Sequence, residues 1–321
     1  MSRVVYRRSI EAVAIAIIAV CGSLALPAAP ADLRLIDAIK TGNRPALQSL
    51  LKQRALVNAA EADGSTPLHW AVRLDQFDMV QMLLRSGAQV DAKTRYGIAP
   101  LALAAINGSA PVVDALLKAG ADPNTSNPDG ETVLMLAART GKSEPVQLLI
   151  ARGADVNARE AWQGETALMW AAAEDHPEVV KLLASRGADL NAKSKVPEFP
   201  KVKVDAATMV TTALPRGGMT ALMLAARQGA PNGIRALIET GADLNAVDPD
   251  GTTALVLAVI NAHYEEAIIL IEAGANLNLG DAAGMPRDYV KGKALFVYFS
   301  YGETPEGSTS VRWARILHQI H

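Results

Sequence analysis

The residues able to do acid–base or metal chemistry are few and scattered. The chain has five histidines, His69, His176, His263, His318 and His321, and a single cysteine, Cys21. It contains no His-Glu-x-x-His, no Gly-x-Ser-x-Gly, no phosphate-cradling glycine loop, and no His/Asp/Glu set with metal-ligand spacing. The nearest thing to a titratable group is Glu174-Asp175-His176, with Glu198 and Asp205 further along. No cofactor or metal is expected from this pattern. Trp162 points to a different chemistry. It sits in the polar stretch Arg159-Glu160-Ala161-Trp162-Gln163, and a large aromatic side chain on such a turn is a common anchor at interfaces.

The elements that must position these residues are set by glycine. Gly64, Gly97, Gly130, Gly164, Gly218, Gly251 and Gly284 recur at steps of 33, 33, 34, 54, 33 and 33 residues. Gly87, Gly120, Gly153, Gly187, Gly241 and Gly274 follow the same intervals, so the chain is a stacked repeat. Within one unit, Thr132 opens an apolar run, Leu134, Leu136, Ala137 and Ala138, that Gly141 ends. Pro145 stands where a first-turn proline is tolerated, because its missing N–H would have no helical partner there. Val146, Leu148, Leu149 and Ile150 form a second helix, which Gly153 caps. Each unit therefore reads as helix, helix and projecting turn, an all-α solenoid. Another glycine site, just after the first helix, holds Gly108, Gly141 and Gly229 but also Asp75, Asp175 and Ala262. Alanine is the least comfortable of these if φ is positive there.

Thr66-Pro67-Leu68-His69-Trp70-Ala71, followed by Leu83-Leu84-Arg85-Ser86-Gly87-Ala88 and Val90-Asp91-Ala92, resembles the ankyrin repeat. The resemblance covers residues 33–284 and implies seven helix-turn-helix units with projecting β-turn or hairpin loops. It further implies a concave recognition face built by the turns and first helices. Carried over position by position, that face includes Arg73, Tyr96, Asn107, Arg139, Trp162, Glu174, Arg227 and Asn261, with Trp162 and Tyr96 foremost and Phe199 added from an insertion. The motif histidine survives only at His69; Met135, Met169 and Met223 replace it, which predicts lost or substituted hydrogen bonds and looser turns. Trp70 and Trp170 share a motif position with Leu103, Leu136, Leu224 and Leu257 and read as core. His176 and His263 are also equivalent to one another, two repeats apart, which disfavours a metal pair.

The ends depart from the repeat. Arg3, Arg7 and Arg8 precede the apolar stretch from Ala12 to Leu26 and an Ala29-Pro30-Ala31 site, the pattern of a secretory signal peptide over residues 1–31 cut before Asp32. The competing reading is an uncleaved membrane anchor at residues 12–31. A lipid on Cys21 fits poorly, because Val20 precedes it. The repeat domain runs over residues 32–284, and Asp37, at the position of Trp70, marks a polar first unit suited to a solenoid cap. The 54-residue step carries an insertion at residues 193–217 that enters a turn, and its prolines and β-branched residues predict a hairpin finger. Residues 285–321 are an aromatic-rich tail, read as an irregular cap or as a truncated or altered repeat.

With 31 basic against 33 acidic residues, nothing suggests a nucleic-acid or membrane-surface field. The expectation is a monomeric, exported, non-catalytic scaffold for a protein partner, periplasmic or secreted. The alternative is an enzyme or small-ligand protein whose site lies between the insertion and its neighbouring units, drawing on Glu198, Asp205, Glu174, Asp175 or His176.

Overall fold

The computed structural model describes residues 33–53, 56–196, 217–277 and 279, among which fourteen helices form seven consecutive pairs. The first three pairs are α1 (Arg34–Lys40) and α2 (Arg44–Lys52), α3 (Pro67–Arg73) and α4 (Phe77–Arg85), and α5 (Pro100–Asn107) and α6 (Ala110–Lys118). The next two are α7 (Val133–Ala138) with α8 (Ser143–Ala151), and α9 (Ala167–Ala173) with α10 (Pro177–Ser185). The last are α11 (Ala221–Gln228) with α12 (Pro231–Thr240), and α13 (Ala254–Ile260) with α14 (Tyr264–Glu272). The expected signal segment, the finger between residues 197 and 216 and the C-terminal tail lie outside the described residues.

None of these helices is long enough to be stable alone in water. Each is held by packing, and the sequence specifies where. The odd-numbered helices stack on one another in an unbroken row and the even-numbered helices form a second row. Buried alanines, among them Ala71, Ala104, Ala137, Ala171, Ala225 and Ala258, keep the first row thin. The second helix of unit 6 also comes close to the first helix of unit 5, where a Cβ on Gly233 would lie 2.6 Å from the Ala172 carbonyl oxygen. On the second row, Val80 and Leu83, Val113 and Leu116, Val146 and Leu149, Val180 and Leu183, and Ile234 and Leu237 are fully buried. Their three-residue spacing places each pair on one helix face, turned to the core.

Threonine starts the first helix of most units. The hydroxyls of Thr66, Thr132, Thr166, Thr220 and Thr253 accept the N–H three residues on, at 3.3 to 3.4 Å. Ala99 makes no such bond. At His69 the ring completes the cap. Nδ1 accepts the Thr66 N–H at 3.2 Å, and Nε2 donates to the Ile98 carbonyl of the next unit at 3.0 Å. At two of the three methionines that replace it the sulfur stands in for Nδ1, with Thr132 N–H to Met135 Sδ at 3.4 Å and Thr220 N–H to Met223 Sδ at 3.5 Å, while the cap at Thr166 has only the bond from Met169 N–H. A thioether has no donor, so the bond to the next unit has no counterpart there. The anticipated loss is therefore half made good.

The units are tied at a second level by a row of side-chain amides. Asn58 Oδ1 accepts Gln89 N–H at 2.8 Å, and Asn124, Asn157, Asn191 and Asn245 do the same for Asp155, Asp189, Asp243 and Asn276 at 2.8 to 2.9 Å. Asp91 makes the remaining link, to Asp122 N–H, at 3.3 Å. Asn191 reaches Asp243 across the insertion, and α9 packs directly on α11, so the stack continues through it. Ser194 and Met219 close its root, with Ser194 N–H to Met219 O at 2.9 Å and Met219 N–H to Ser194 Oγ at 3.0 Å. The residue after the first helix is left-handed in each case compared, with φ of 61° at Gly108, 73° at Gly141 and 73° at Gly229, but also 52° at Asp75, 59° at Asp175 and 62° at Ala262. Ala262 thus carries the strain anticipated for it, of roughly 1–2 kcal/mol. Asp37 is exposed, in keeping with a polar first unit.

Burial holds the His69 imidazole below its ordinary pKa, in the neutral form that both its bonds require. A depressed histidine contributes stability that is whole above its unfolded pKa of about 6.5 and is lost as pH falls through its folded value. His69→Met, the replacement used in the later units, is expected to lower stability by about 1–2 kcal/mol at pH 7.5 by removing the bridge to Ile98. In urea unfolding at pH 5.5 the gap between parent and variant should narrow; an unchanged gap would show that the imidazole is not the titrating group.

Candidate functional site

The turns between units repeat one plan. Their first position holds a side-chain acceptor that closes the turn: Thr94 Oγ1 takes Ile98 N–H at 3.2 Å, Asn127 Oδ1 takes Glu131 N–H at 2.9 Å, and Asp248 Oδ1 takes Thr252 N–H at 2.8 Å. Neighbouring turns bond to each other through Arg95 N–H to Asp63 O at 2.8 Å, Ala161 N–H to Asp129 O at 2.7 Å and Lys195 N–H to Gln163 O at 2.6 Å. Among the described residues the turns close without extended strands, through such bonds and one antiparallel bridge between Ser126 and Thr132. At the turn tips stand Asp63, Tyr96, Asp129, Trp162, Val196 and Asp250. The apolar members are exposed, Tyr96 at 58%, Val196 at 49% and Trp162 at 82%.

The turn bearing Trp162 has one residue more than its neighbours, and Glu160 organises the surplus. Its carboxylate is only 5% exposed. It accepts the N–H of Trp162 on one oxygen and those of Gln163 and Glu165 on the other, at 2.7 and 2.9 Å. Three charge-assisted bonds to amides of one turn fix its backbone, and the indole stands out in solvent. Sequence reasoning assigned Glu160 no part. Its signal was an acidic residue at the position where the other turns carry Thr94, Asn127 and Asp248.

Behind Trp162 lies Trp170 on α9. It packs against the core, as the sequence reading has it for both Trp70 and Trp170, and is half-buried, so part of it also faces the surface. Trp170 Nε1 donates to Glu165 Oε2 at 2.9 Å, and the Arg139 guanidinium lies 5.2 Å from the ring centre. Burial pushes the Glu165 carboxyl above the usual range, a shift partly opposed by the Trp170 bond, deepened by the Glu160 charge and eased by Arg227. Two open hollows flank Trp170. One, of about 250 Å³, gathers Arg139, Glu174 and Arg227; the other, of about 300 Å³, lies under Trp162 with Asp129, Glu131 and Glu165.

Of the residues expected on this face, Arg139, Trp162, Glu174 and Arg227 are thus brought together in units 4 to 6. Arg73 and Tyr96 line a smaller hollow, about 160 Å³, beside Trp70 in units 2 and 3. Two more of the expected residues are engaged with the backbone. Asn107 donates to the Val72 carbonyl at 2.8 Å and so joins units 2 and 3, while Asn261 donates to Leu257 O of its own helix at 2.8 Å. A short amide at a helix end finds a backbone carbonyl before it can reach a partner. Phe199, Glu198 and Asp205 lie outside the described residues.

The remaining titratable candidates are tied to the backbone. Asp175 accepts Gly233 N–H at 2.7 Å and Asn232 Nδ2 at 2.9 Å. His176 Nε2 donates to the Arg139 carbonyl at 3.0 Å and His263 Nε2 to the Arg227 carbonyl at 3.1 Å. Each imidazole therefore clamps the helix end that carries one of the two arginines of the larger face. Among the described residues, no group of three His, Cys, Asp or Glu side chains is placed to hold a metal ion, and no helix is long and apolar enough to cross a membrane.

A thin double row of helices with a continuous edge of preformed turns defines a repeat scaffold. The family model for ankyrin repeats matches residues 31–94, 101–194 and 203–281 in three copies, and the chain belongs to the ankyrin repeat family. Ankyrin repeats are in general protein–protein interaction modules and are typically non-catalytic. No curated protein matches the chain.

Replacing Glu160 by glutamine keeps its size but puts an N–H₂ against turn amides that need an acceptor. Glu160→Gln is expected to lower stability by about 2–3 kcal/mol. Amide exchange at Trp162, Gln163 and Glu165 should accelerate at least tenfold, with α1 to α6 unaffected. Unchanged exchange at those three amides would mean that Glu160 does not hold the turn.

Proposed function

We propose that the chain is a non-catalytic scaffold that holds a protein partner on the turn-side face of units 4 to 6, and that residues 1–31 export it to a periplasm or the exterior. The exposed indole of Trp162 carries this reading. Burying such a side chain against a partner gains roughly 2–3 kcal/mol of transfer free energy. The Glu160 carboxylate already fixes its turn, so little conformational entropy is lost on association. Arg139, Glu174 and Arg227 beside it supply both signs of charge for orienting the partner. Asp175 and His176 are bonded to the backbone in ways that hold the fold, which supports recognition over the acid–base alternative. The export reading is supported by the order of charges, apolar stretch and small residues before Asp32, and by Cys21 falling inside the part that would be removed.

Affinity capture tests the face. Residues 32–321 as bait, a Trp162→Ala version and a Lys118→Ala version altered on the second helix row are exposed to the envelope fraction of the source cells. A partner kept by the first and third baits and reduced at least tenfold on the second is expected. Equal retention on all three would sink the assignment of this face. Export is tested by the mass of the chain recovered from source cells, expected to begin at Asp32; an intact Met1 end would favour the anchor.

A further inference from the structure

Taking the scaffold reading as given, we propose that the hollow between Trp162 and Trp170 receives the guanidinium of an arginine on the partner protein. The two indoles line it together with Asp129, Glu131 and Glu165, and among the described residues no basic side chain does. A cation there meets ring faces and carboxylates at once, and both attract it. Glu160 adds negative charge from below, although its own oxygens are committed to the turn.

The chain contains its own comparison. In units 2 and 3 the equivalent helix and turn-tip positions hold Trp70 and Tyr96, with Tyr96 in the turn after Trp70 where Trp162 is in the turn before Trp170, and there the cations are supplied from within. Lys40 Nζ lies 4.0 Å and the Arg73 guanidinium 5.4 Å from the centre of Trp70, and Arg95 lies 4.9 Å from that of Tyr96. The residue before the tip aromatic is Arg95 in that turn and Ala161 in the turn of Trp162. Among the described residues no cation stands over the Trp162 ring, and the nearest basic side chains are engaged elsewhere. Lys195 Nζ donates to the Ala161 carbonyl, Arg159 donates to the Gly164 carbonyl at 3.2 Å and to that of Lys193, and Arg139 covers Trp170 from the adjoining hollow. Trp70 and Tyr96 are thus each met by a cation of the chain itself, whereas among the described residues the Trp162 ring is not.

Arginine fits better than lysine. Its planar, weakly hydrated guanidinium stacks on an indole face while its edge meets a carboxylate, whereas an ammonium keeps its water more tightly. A side chain of this length also suits a hollow of about 300 Å³ with an open mouth.

The test uses the protein from residue 32 onward with nitrogen-15 in its tryptophans, titrated with acetylated, amidated Gly-Ser-X-Ser-Gly peptides in which X is Arg, Lys, Leu or Glu. Trp162→Phe identifies the Trp162 indole signal. The Arg peptide is expected to move the Trp162 and Trp170 signals saturably, the Lys peptide to bind about threefold more weakly, and the Leu and Glu peptides to move neither. Asp129→Asn, an isosteric change at an exposed site, should weaken the Arg peptide about fivefold with the circular dichroism spectrum unchanged. An equal response to the Leu peptide, no response to the Arg peptide, or Asp129→Asn without effect would each overturn the proposal. Partner capture that depends on Trp162 but not on Asp129 would keep the scaffold reading and remove the arginine anchor. Saturable Arg binding with capture indifferent to Trp162 would do the reverse.

Discussion

The Asn and Asp side chains that accept an N–H from the following unit are the bonds on which everything else here rests. A solenoid has no distant contacts to fall back on, because each unit touches only its neighbours. Its stability is therefore no better than its weakest junction. The oxygens of Asn58, Asp91, Asn124, Asn157, Asn191 and Asn245 span every junction described, and Asn124 and Asn157 also donate to the glycine carbonyls that end the next second helices. With turn spacing set in this way, the adjacent tips fall close enough to bond each other and present one continuous edge. The hollows around Trp170 lie where two successive turns and the first helices of units 4 to 6 are held at that spacing.

Much of this was legible in the chain itself. The glycine series set the unit boundaries, since a left-handed residue after each helix recurs wherever the helix does, and Gly108, Gly141 and Gly229 show it. Trp162 stood out because a polar turn has no internal reason to carry an indole. Arg139, Glu174 and Arg227 followed from their register on consecutive first helices. Other features were not legible, for a shared reason. Asn107 and Asn261 have surface register, but register says nothing of which backbone carbonyl lies within reach of an amide. Glu160 went unnoticed for the complementary reason, since its three donors come into range only after the turn has closed around it. Trp70 and Trp170 occupy a position that leucine also fills, and this position is partly open in several units, as Leu103 and Leu257 show.

Polar groups divide the labour between holding the stack and facing outward, often within a few atoms of each other. His176 and His263 bond carbonyls of Arg139 and Arg227 while those residues' guanidinium groups point to the opposite side. The same helix end is a fastening on its backbone and a recognition element at its side chain. At His69, His176 and His263 the Nε2 is in this way given over to a backbone carbonyl.

The closed root formed by Ser194 and Met219 has a consequence for how such a protein can change. Asn191 bonds Asp243 and α9 packs on α11 as though the intervening chain were absent, so the junction makes no demand on the length or composition of what leaves and returns there. It acts as a socket. Sequence between the two root residues can be lengthened, shortened or exchanged for a different recognition segment while the helical rows keep their register, which makes this the place where new specificity is acquired with least disturbance to the fold.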